Sequence, residues 1–287
     1  FTYWSEPPRY VVLVGKGSFD YLDRLGFGDN QVPVRLVATP DGLFASDVWY
    51  ADVVGDDGVP EFRIGRVPAV SPDEVRTYIA KLRAYEGAGG EWTNRVLLTA
   101  DNGDDGGDFA ADSDVIGRWI GAPYEMTRVY LDDYTPLTAH GLVLSSLTAG
   151  VRFMNYLGHA GLDRLAQEGL LLSSDAAALN NSGRLPVLAA ITCVAGRFEI
   201  PGNDCIGEAL LMDPDGGVIA VLAPSGLSLH QSARLLDDEL VRILFDEGEK
   251  NLGTAVQAAR ERFADRSNAT YLLYIYNLLG DPALRLH

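Results

Sequence analysis

The sequence predicts an α/β fold built on a doubly wound, mostly parallel sheet flanked by helices. Two observations carry this expectation. Short apolar runs alternate with helix-patterned stretches along most of the 287 residues, the order that joins parallel strands by right-handed crossovers. The runs are also rich in Val, Ile and Leu with little polar alternation, as strands covered on both faces are.

Strands are expected at Tyr10–Val14, Arg95–Thr99, Thr127–Leu131, Val151–Leu157, Val187–Thr192 and Val218–Leu222. The clearest helix begins at Ser71-Pro72-Asp73-Glu74, where Ser71 can cap, Glu74 can reach back and Pro72 takes the first helical position. Val75, Tyr78, Ile79 and Leu82 then fall on one face, and Gly87–Gly90 ends the run. Two further helices are expected over Ala233–Phe245, with Leu236, Leu240, Ile243 and Leu244 as its buried stripe, and over Thr254–Phe263. The glycine run is the best internal boundary, dividing a smaller unit (1–90) from a larger one (91–287).

Composition excludes several classes of function. Hydrophobic residues make up 47% and charged residues 22%, too apolar for disorder. Lys plus Arg is 23 against 40 for Asp plus Glu, a net charge of −17. That balance argues against a nucleic-acid partner, which needs cations to displace phosphate counterions, and against docking on an anionic membrane. No apolar run approaches the roughly 18–20 residues needed to cross a bilayer, so no membrane insertion is expected within this segment. Two cysteines, Cys193 and Cys205, make no disulfide framework. The chain opens at Phe1 without an initiator Met or a signal-peptide pattern and reads as a segment of a longer or processed protein, with additional domains of that chain as partners.

In an open parallel sheet, ligands bind beyond the carboxyl ends of the strands. After Val151–Leu157 comes Gly158-His159-Ala160-Gly161, and after Val187–Thr192 comes Cys193-Val194-Ala195-Gly196. The 34 residues between His159 and Cys193 suit one strand-helix-strand crossover. Neighbouring strands lie about 4.8 Å apart, so the two side chains can meet across one cleft. Alone, a cysteine after an apolar run is ordinarily a small buried hydrophobe, and a histidine beside glycine a loop residue. Together at equivalent strand ends they have the parts for nucleophilic catalysis, imidazole taking the thiol proton while the thiolate attacks an acyl carbon.

The segments Phe153-Met-Asn-Tyr-Leu-Gly-His159 and Ala189-Ala-Ile-Thr-Cys193-Val-Ala-Gly-Arg-Phe198 resemble the gingipain-type cysteine peptidases of the caspase-like clan. Gly207-Glu-Ala-Leu-Leu211, Gly216–Val221, Asn277–Pro282, Tyr10–Gly15, Ser46–Tyr50 and Ile64–Arg66 match in order, so the similarity covers nearly the whole chain. The resemblance implies a caspase-like sheet with a smaller N-terminal α/β subdomain lacking its first elements. It implies Cys193 as nucleophile, His159 as general acid and base, and the backbone N–H groups of Cys193 and Ala160 as the oxyanion hole. The family usually has glycine where this chain has Ala160, so a steric cost is expected if that position needs positive φ. The acidic residue that would hold the imidazole's orientation and stabilise the imidazolium maps to Asp101, one methylene shorter than the usual Glu. The loop after the next strand would wall the substrate pocket through Ser225, Leu227 and Ser228. A secreted or cell-surface location is a family inference, and the sequence does not contradict a cytoplasmic one.

Asp101, Asp104, Asp105, Asp108, Asp112 and Asp114 fall within fourteen residues that contain no Lys or Arg. A solvated acidic loop is the commonest meaning of such a run. A structural Ca²⁺ held by Asp104, Asp105 and Asp108 is a second reading, since hard oxygen ligands separated by glycine suit that ion. An acidic pocket for Arg or Lys before the scissile bond, using Asp112 or Asp114, is a third. Asp52, Asp56, Asp57 and Glu61 form another calcium candidate, without the spacing of an EF-hand loop. No cofactor is expected for the chemistry itself. The expected function is a cysteine endopeptidase acting on polypeptides through a Cys-His dyad and a thioester. The rivals are a sortase-like transpeptidase of the same chemistry and a non-catalytic, calcium-stabilised adhesion or assembly domain.

Overall fold

The computed structural model describes residues 4–287. The N-terminal third carries strands β1 (Tyr10–Val14), β2 (Arg35–Thr39), β3 (Gly42–Ser46) and β4 (Arg63–Val67), then helix α1 (Pro72–Glu86). The middle alternates: β5 (Arg95–Ala100), α2 (Phe109–Gly117), β6 (Glu125–Tyr130), α3 (Pro136–Ala149) and β7 (Phe153–Leu157). Two short strands, β8 (Arg164–Leu165) and β9 (Leu171–Leu172), precede β10 (Val187–Ile191), α4 (Ile206–Met212) and β11 (Ala220–Pro224). The chain closes with α5 (His230–Val241), α6 (Leu252–Arg266), α7 (Tyr271–Ile275) and β12 (Tyr276–Leu279). No described helix is long and apolar enough to cross a membrane.

One eight-stranded sheet, ordered β1-β4-β12-β11-β10-β7-β5-β6, is the frame. The strands from β6 through β11 in that order are mutually parallel. β12 runs antiparallel to β11 but parallel to β4, which is parallel to β1. The sheet is thus two parallel blocks pointing in opposite directions, joined at the β11–β12 seam. Alternate strand residues feed two cores. Val96, Leu98, Phe153, Val187, Ala189 and Leu222 pack under α2, α5 and α6. Leu97, Met154, Tyr156, Leu188, Val221 and Ala223 pack under α1, α3 and α4. Burial on both faces explains why these strands read as continuous apolar runs.

The six expected strands are present with ends shifted by up to two residues. The β2–β3 hairpin, β4, the short β8 and β9, and β12 lie outside the expected strands. β12 follows α7 inside one apolar stretch, where length alone cannot separate helix from strand. Helix α1 starts as its signals say. Ser71 Oγ accepts the Glu74 N–H, and the Glu74 carboxylate reaches back to the Val70 N–H. Its buried face is corrected, however: Tyr78, Lys81 and Tyr85 face inward and Ile79 is 42% exposed. Lys81 is inside because its Nζ donates to the Leu211 carbonyl (2.6 Å) in the last turn of α4, and burial lowers its pKa to about 7. The sheet also runs across the boundary expected at residue 90, through the Leu279–Arg66 pairing of β12 with β4.

Candidate active site

Because β5, β7, β10 and β11 are parallel, the loops that follow them gather on one edge. Ile191 pairs with Leu157, so Cys193 and His159 each stand two residues beyond paired positions on adjacent strands. Both line one cavity of about 510 Å³, with Phe109, Thr192, Ser228 and His230 among its walls.

Cys193 sits on a tight turn. Val194 adopts φ 46°, a left-handed conformation that a β-branched residue enters at a cost of about 1–3 kcal/mol. The turn is held by Val194 N–H to the Gly226 carbonyl (3.0 Å) and Gly196 N–H to the Pro224 carbonyl (2.9 Å). The Ser228 N–H points at Sγ from 3.4 Å. Burial pushes the thiol pKa up, and the Ser228 contact pulls the other way. The net shift favours the neutral thiol.

His159 is fixed at three points. Its N–H donates to Asp101 Oδ2 (3.0 Å), its carbonyl accepts from the Tyr156 hydroxyl, and its Nε2 lies 3.0 Å from Asp104 Oδ2. Phe109 stands edge-on to the ring at 5.3 Å. This corrects the role expected of Asp101, which grips the histidine backbone, while Asp104 contacts the imidazole. The shorter Asp at 101 reaches an amide two residues past the strand end more readily than the ring that amide carries. The Gly106 N–H holds Asp104 below the usual carboxylate range, helped by His159. With an ionised Asp104 accepting from Nε2–H, Nδ1 is the nitrogen left for the thiol.

The strained backbone lies elsewhere than at Ala160. Gly158 has φ 151°, and a Cβ there would fall 2.3 Å from the Asp101 Cβ. Ala160 has no positive φ, so the steric cost expected of it is absent. Among the described residues, neither the Cys193 nor the Ala160 N–H donates a hydrogen bond within the protein, which leaves both for a ligand oxygen.

The remaining aspartates have separate jobs. Asp105 is exposed and lines the cavity. Asp108 caps α2, accepting the Ala111 N–H (3.0 Å). Asp112 meets His230 Nε2 (2.7 Å) and Arg234, and Asp114 binds Arg128 (2.8 Å) and the Tyr130 hydroxyl, off the cavity wall. In the second candidate loop, Asp52 accepts from Gly58 N–H and the Tyr274 hydroxyl, Asp57 from Val59 N–H, and Glu61 from the Val53 and Val54 N–H groups. Asp56 takes a positive φ in the same turn. Among the described residues no three His, Cys, Asp or Glu side chains are placed to share a metal ion within these loops. They are pinned by their own backbone amides instead.

Ser228 lines the cavity, but Ser225 does not. Ser225 is fully buried, and its hydroxyl donates to the Ala45 carbonyl (2.6 Å) on β3. Leu227 is 42% exposed, outside the cavity wall. Cys205 is a free, fully buried thiol at the start of α4. Sequence reasoning missed Asp104 as the imidazole partner, Phe109 between the two histidine rings, and His230 on the cavity wall. Only the glycines of Asp104-Asp105-Gly106-Gly107 hinted at the first. A Cβ at Gly106 would crowd the His159 ring at 3.3 Å, and one at Gly107 would strike His230 at 2.8 Å.

A mostly parallel sheet with cysteine and histidine on adjacent strand ends is the arrangement of the caspase-like α/β class. The model of peptidase family C25 matches residues 1–287, and the chain belongs to that family. Gingipain R2 and gingipain R1 of Porphyromonas gingivalis are each 25% identical over 96% of this chain, which covers 37% and 28% of their lengths. A Lys-gingipain of the same organism is 29% identical over 63% of the chain. The chain thus spans about a third of the length of the curated gingipains R it matches. The crystal structure of the Arg-specific cysteine proteinase gingipain R superposes with a TM-score of 0.79 at 22% identity, over 97% of this chain and 64% of that one. A complex of pro- and mature domains from P. gingivalis fits equally well, with a TM-score of 0.79.

Proposed function

We propose that this chain carries the catalytic unit of a cysteine endopeptidase acting on polypeptides. One observation carries the reading: Cys193 and His159 stand at register-matched ends of β10 and β7, line one cavity, and the imidazole is backed by Asp104. Family membership supports it. His159 Nδ1 takes the thiol proton as Sγ attacks the scissile carbonyl. The Cys193 and Ala160 N–H groups receive the developing oxyanion, where preorganised donors contribute most to such catalysis. His159 then protonates the leaving amine, which departs to leave a thioester on Cys193. Water, deprotonated by His159, releases the acid and restores the thiol. The raised thiol pKa favours proton transfer during attack over a stored thiolate-imidazolium pair.

The basic-residue preference expected at first rested on Asp112 or Asp114, and both already hold cationic partners within the fold. Operation outside the cell or at its surface stays part of the proposal on family grounds. The test is labelling with peptidyl acyloxymethyl ketones of varied end residue. Covalent modification mapped to Cys193 and lost in Cys193→Ala is expected. No labelling by any probe, or labelling unchanged in Cys193→Ala, overturns the reading.

A further inference from the structure

The wall of the cavity opposite the nucleophile contains a charge arrangement that the hydrolysis does not use. His230, the first residue of α5, has a side chain only 10% exposed, and its Nε2 lies 2.7 Å from Asp112 Oδ2. Arg234, one turn along the same helix, brings Nε to 3.2 Å from Asp112 Oδ1. Asp112 comes from the first turn of α2, so two helices meet across this carboxylate. The Phe109 ring packs edge-on against His230 at 4.7 Å and against His159 at 5.3 Å. Asp112 itself does not line the cavity, whereas His230 does.

These positions decide what the cavity presents to a substrate. The negative charge of Asp112 is balanced by Arg234 before any ligand arrives, and His230 stands between it and the cavity. A buried carboxylate attracts a substrate cation strongly only while it is unpaired. A guanidinium or ammonium entering here loses its hydration and meets Arg234 near an already neutralised carboxylate, a like-charge encounter in a partly dry site. Among the described residues, the one carboxylate that lines the cavity, Asp105, is exposed, so water and salt screen it. The rest of the wall carries no charge: apolar Phe109, Ile191 and Leu229 stand with uncharged Thr192, Ser228, Gln231 and Ser232. A hydrophobic or otherwise uncharged side chain gains by covering that surface.

Resting on the peptidase reading above, we propose that the cavity selects an uncharged residue, not a basic one, immediately before the scissile bond. His230 and Arg234 are the specificity-determining residues. Arg234 is the internal cation paired with the acidic subsite a basic side chain would need, and the His230 ring stands between that pair and the cavity.

The experiment measures labelling rates of Cys193 by acyloxymethyl ketones ending in Leu, Phe, Arg, Lys or Asp, in the wild type and in His230→Ala/Arg234→Ala. In the wild type the Leu or Phe probe is expected to react at least about tenfold faster than Arg or Lys. In the double variant Asp112 faces the cavity unpaired, and the Arg and Lys rates are expected to rise about tenfold or more relative to Leu. Adding Asp112→Asn to the double variant should remove that gain, while Asp112→Asn alone, which leaves Arg234 uncompensated, should raise the rate of the Asp probe and not those of Arg or Lys. If the double variant does not fold by circular dichroism, His230→Gln/Arg234→Gln carries the same test with the cation removed and the volume kept. Arg or Lys as the fastest wild-type probe overturns this inference and leaves the peptidase reading standing. So does an order that neither variant alters. No Cys193 labelling by any probe overturns both.

Discussion

In the proposed mechanism, two aspartates near His159 divide a task that one carboxylate performs in a simple triad. Asp104 touches the ring and Asp101 the backbone, so their variants should behave differently. Asp104→Asn is expected to lower kcat by roughly tenfold or more with little change in KM. That is less than the ~10⁴ reported for a fully buried triad carboxylate, because Asp104 is half exposed. Asp101→Asn keeps an oxygen for the His159 N–H and should cost less than Asp104→Asn. Steady-state kinetics on a peptide substrate check the order, and the reverse order would return the triad role to Asp101. The Cys193 thiol makes a second test. Burial raises its pKa, so iodoacetamide alkylation of the native Cys193 peptide should have its pH midpoint above that of the same peptide in urea. Mass mapping separates Cys193 from Cys205, and a native midpoint below the unfolded one would mean a stored thiolate.

At the level of elements, the site depends on register. The β7–β10 pairing puts His159 and Cys193 side by side, and α5 packs beneath them with a fully buried Asp237. Its carboxylate oxygens lie 2.8 and 3.0 Å from Asn155 Nδ2 on β7, while Asn155 Oδ1 has no partner. Burial raises the Asp237 pKa to about 8. A folded pKa above the unfolded value of roughly 4 gives stability that is full below pH 4 and lost as pH rises through about 8. Asp237→Asn should therefore flatten that decline. Urea midpoints at pH 5 and pH 8.5 should show the wild type losing ground to the variant at the higher pH, and parallel changes would remove Asp237 as the cause. The element ends were readable wherever the chain punctuates itself, as at Ser71-Pro72 and Gly87. They were unreadable where one apolar stretch holds both α7 and β12, since periodicity over so few residues favours neither.

Across the whole molecule, the N-terminal strands join the catalytic block through β4, and Arg66 is the fastening. Its guanidinium is fully buried, pairs with Asp47 (2.6 Å), and donates to the Gly15 and Val32 carbonyls. Phe198, five residues past Cys193, covers its face at 4.7 Å. Arg66→Ala leaves a buried carboxylate alone and is expected to cost about 3–5 kcal/mol, read as a lower urea midpoint. A loss under 1 kcal/mol would show the two blocks to be held by apolar contacts alone.

The sequence by itself determined the doubly wound core and the pair Cys193 and His159. Both follow from local pattern: doubly covered strands must be apolar throughout, and residues just past parallel strand ends share one edge whatever the helices between them do. Only the tertiary structure decided which aspartate serves which partner. Six aspartates within fourteen residues are chemically alike in the sequence. Asp104 acquires His159, Asp112 acquires His230 and Arg234, and Asp114 acquires Arg128 from groups up to 122 positions away along the chain, counting from Asp112 to Arg234. A carboxylate's role is set by what packs against it, and that is a property of the closed sheet and its covering helices.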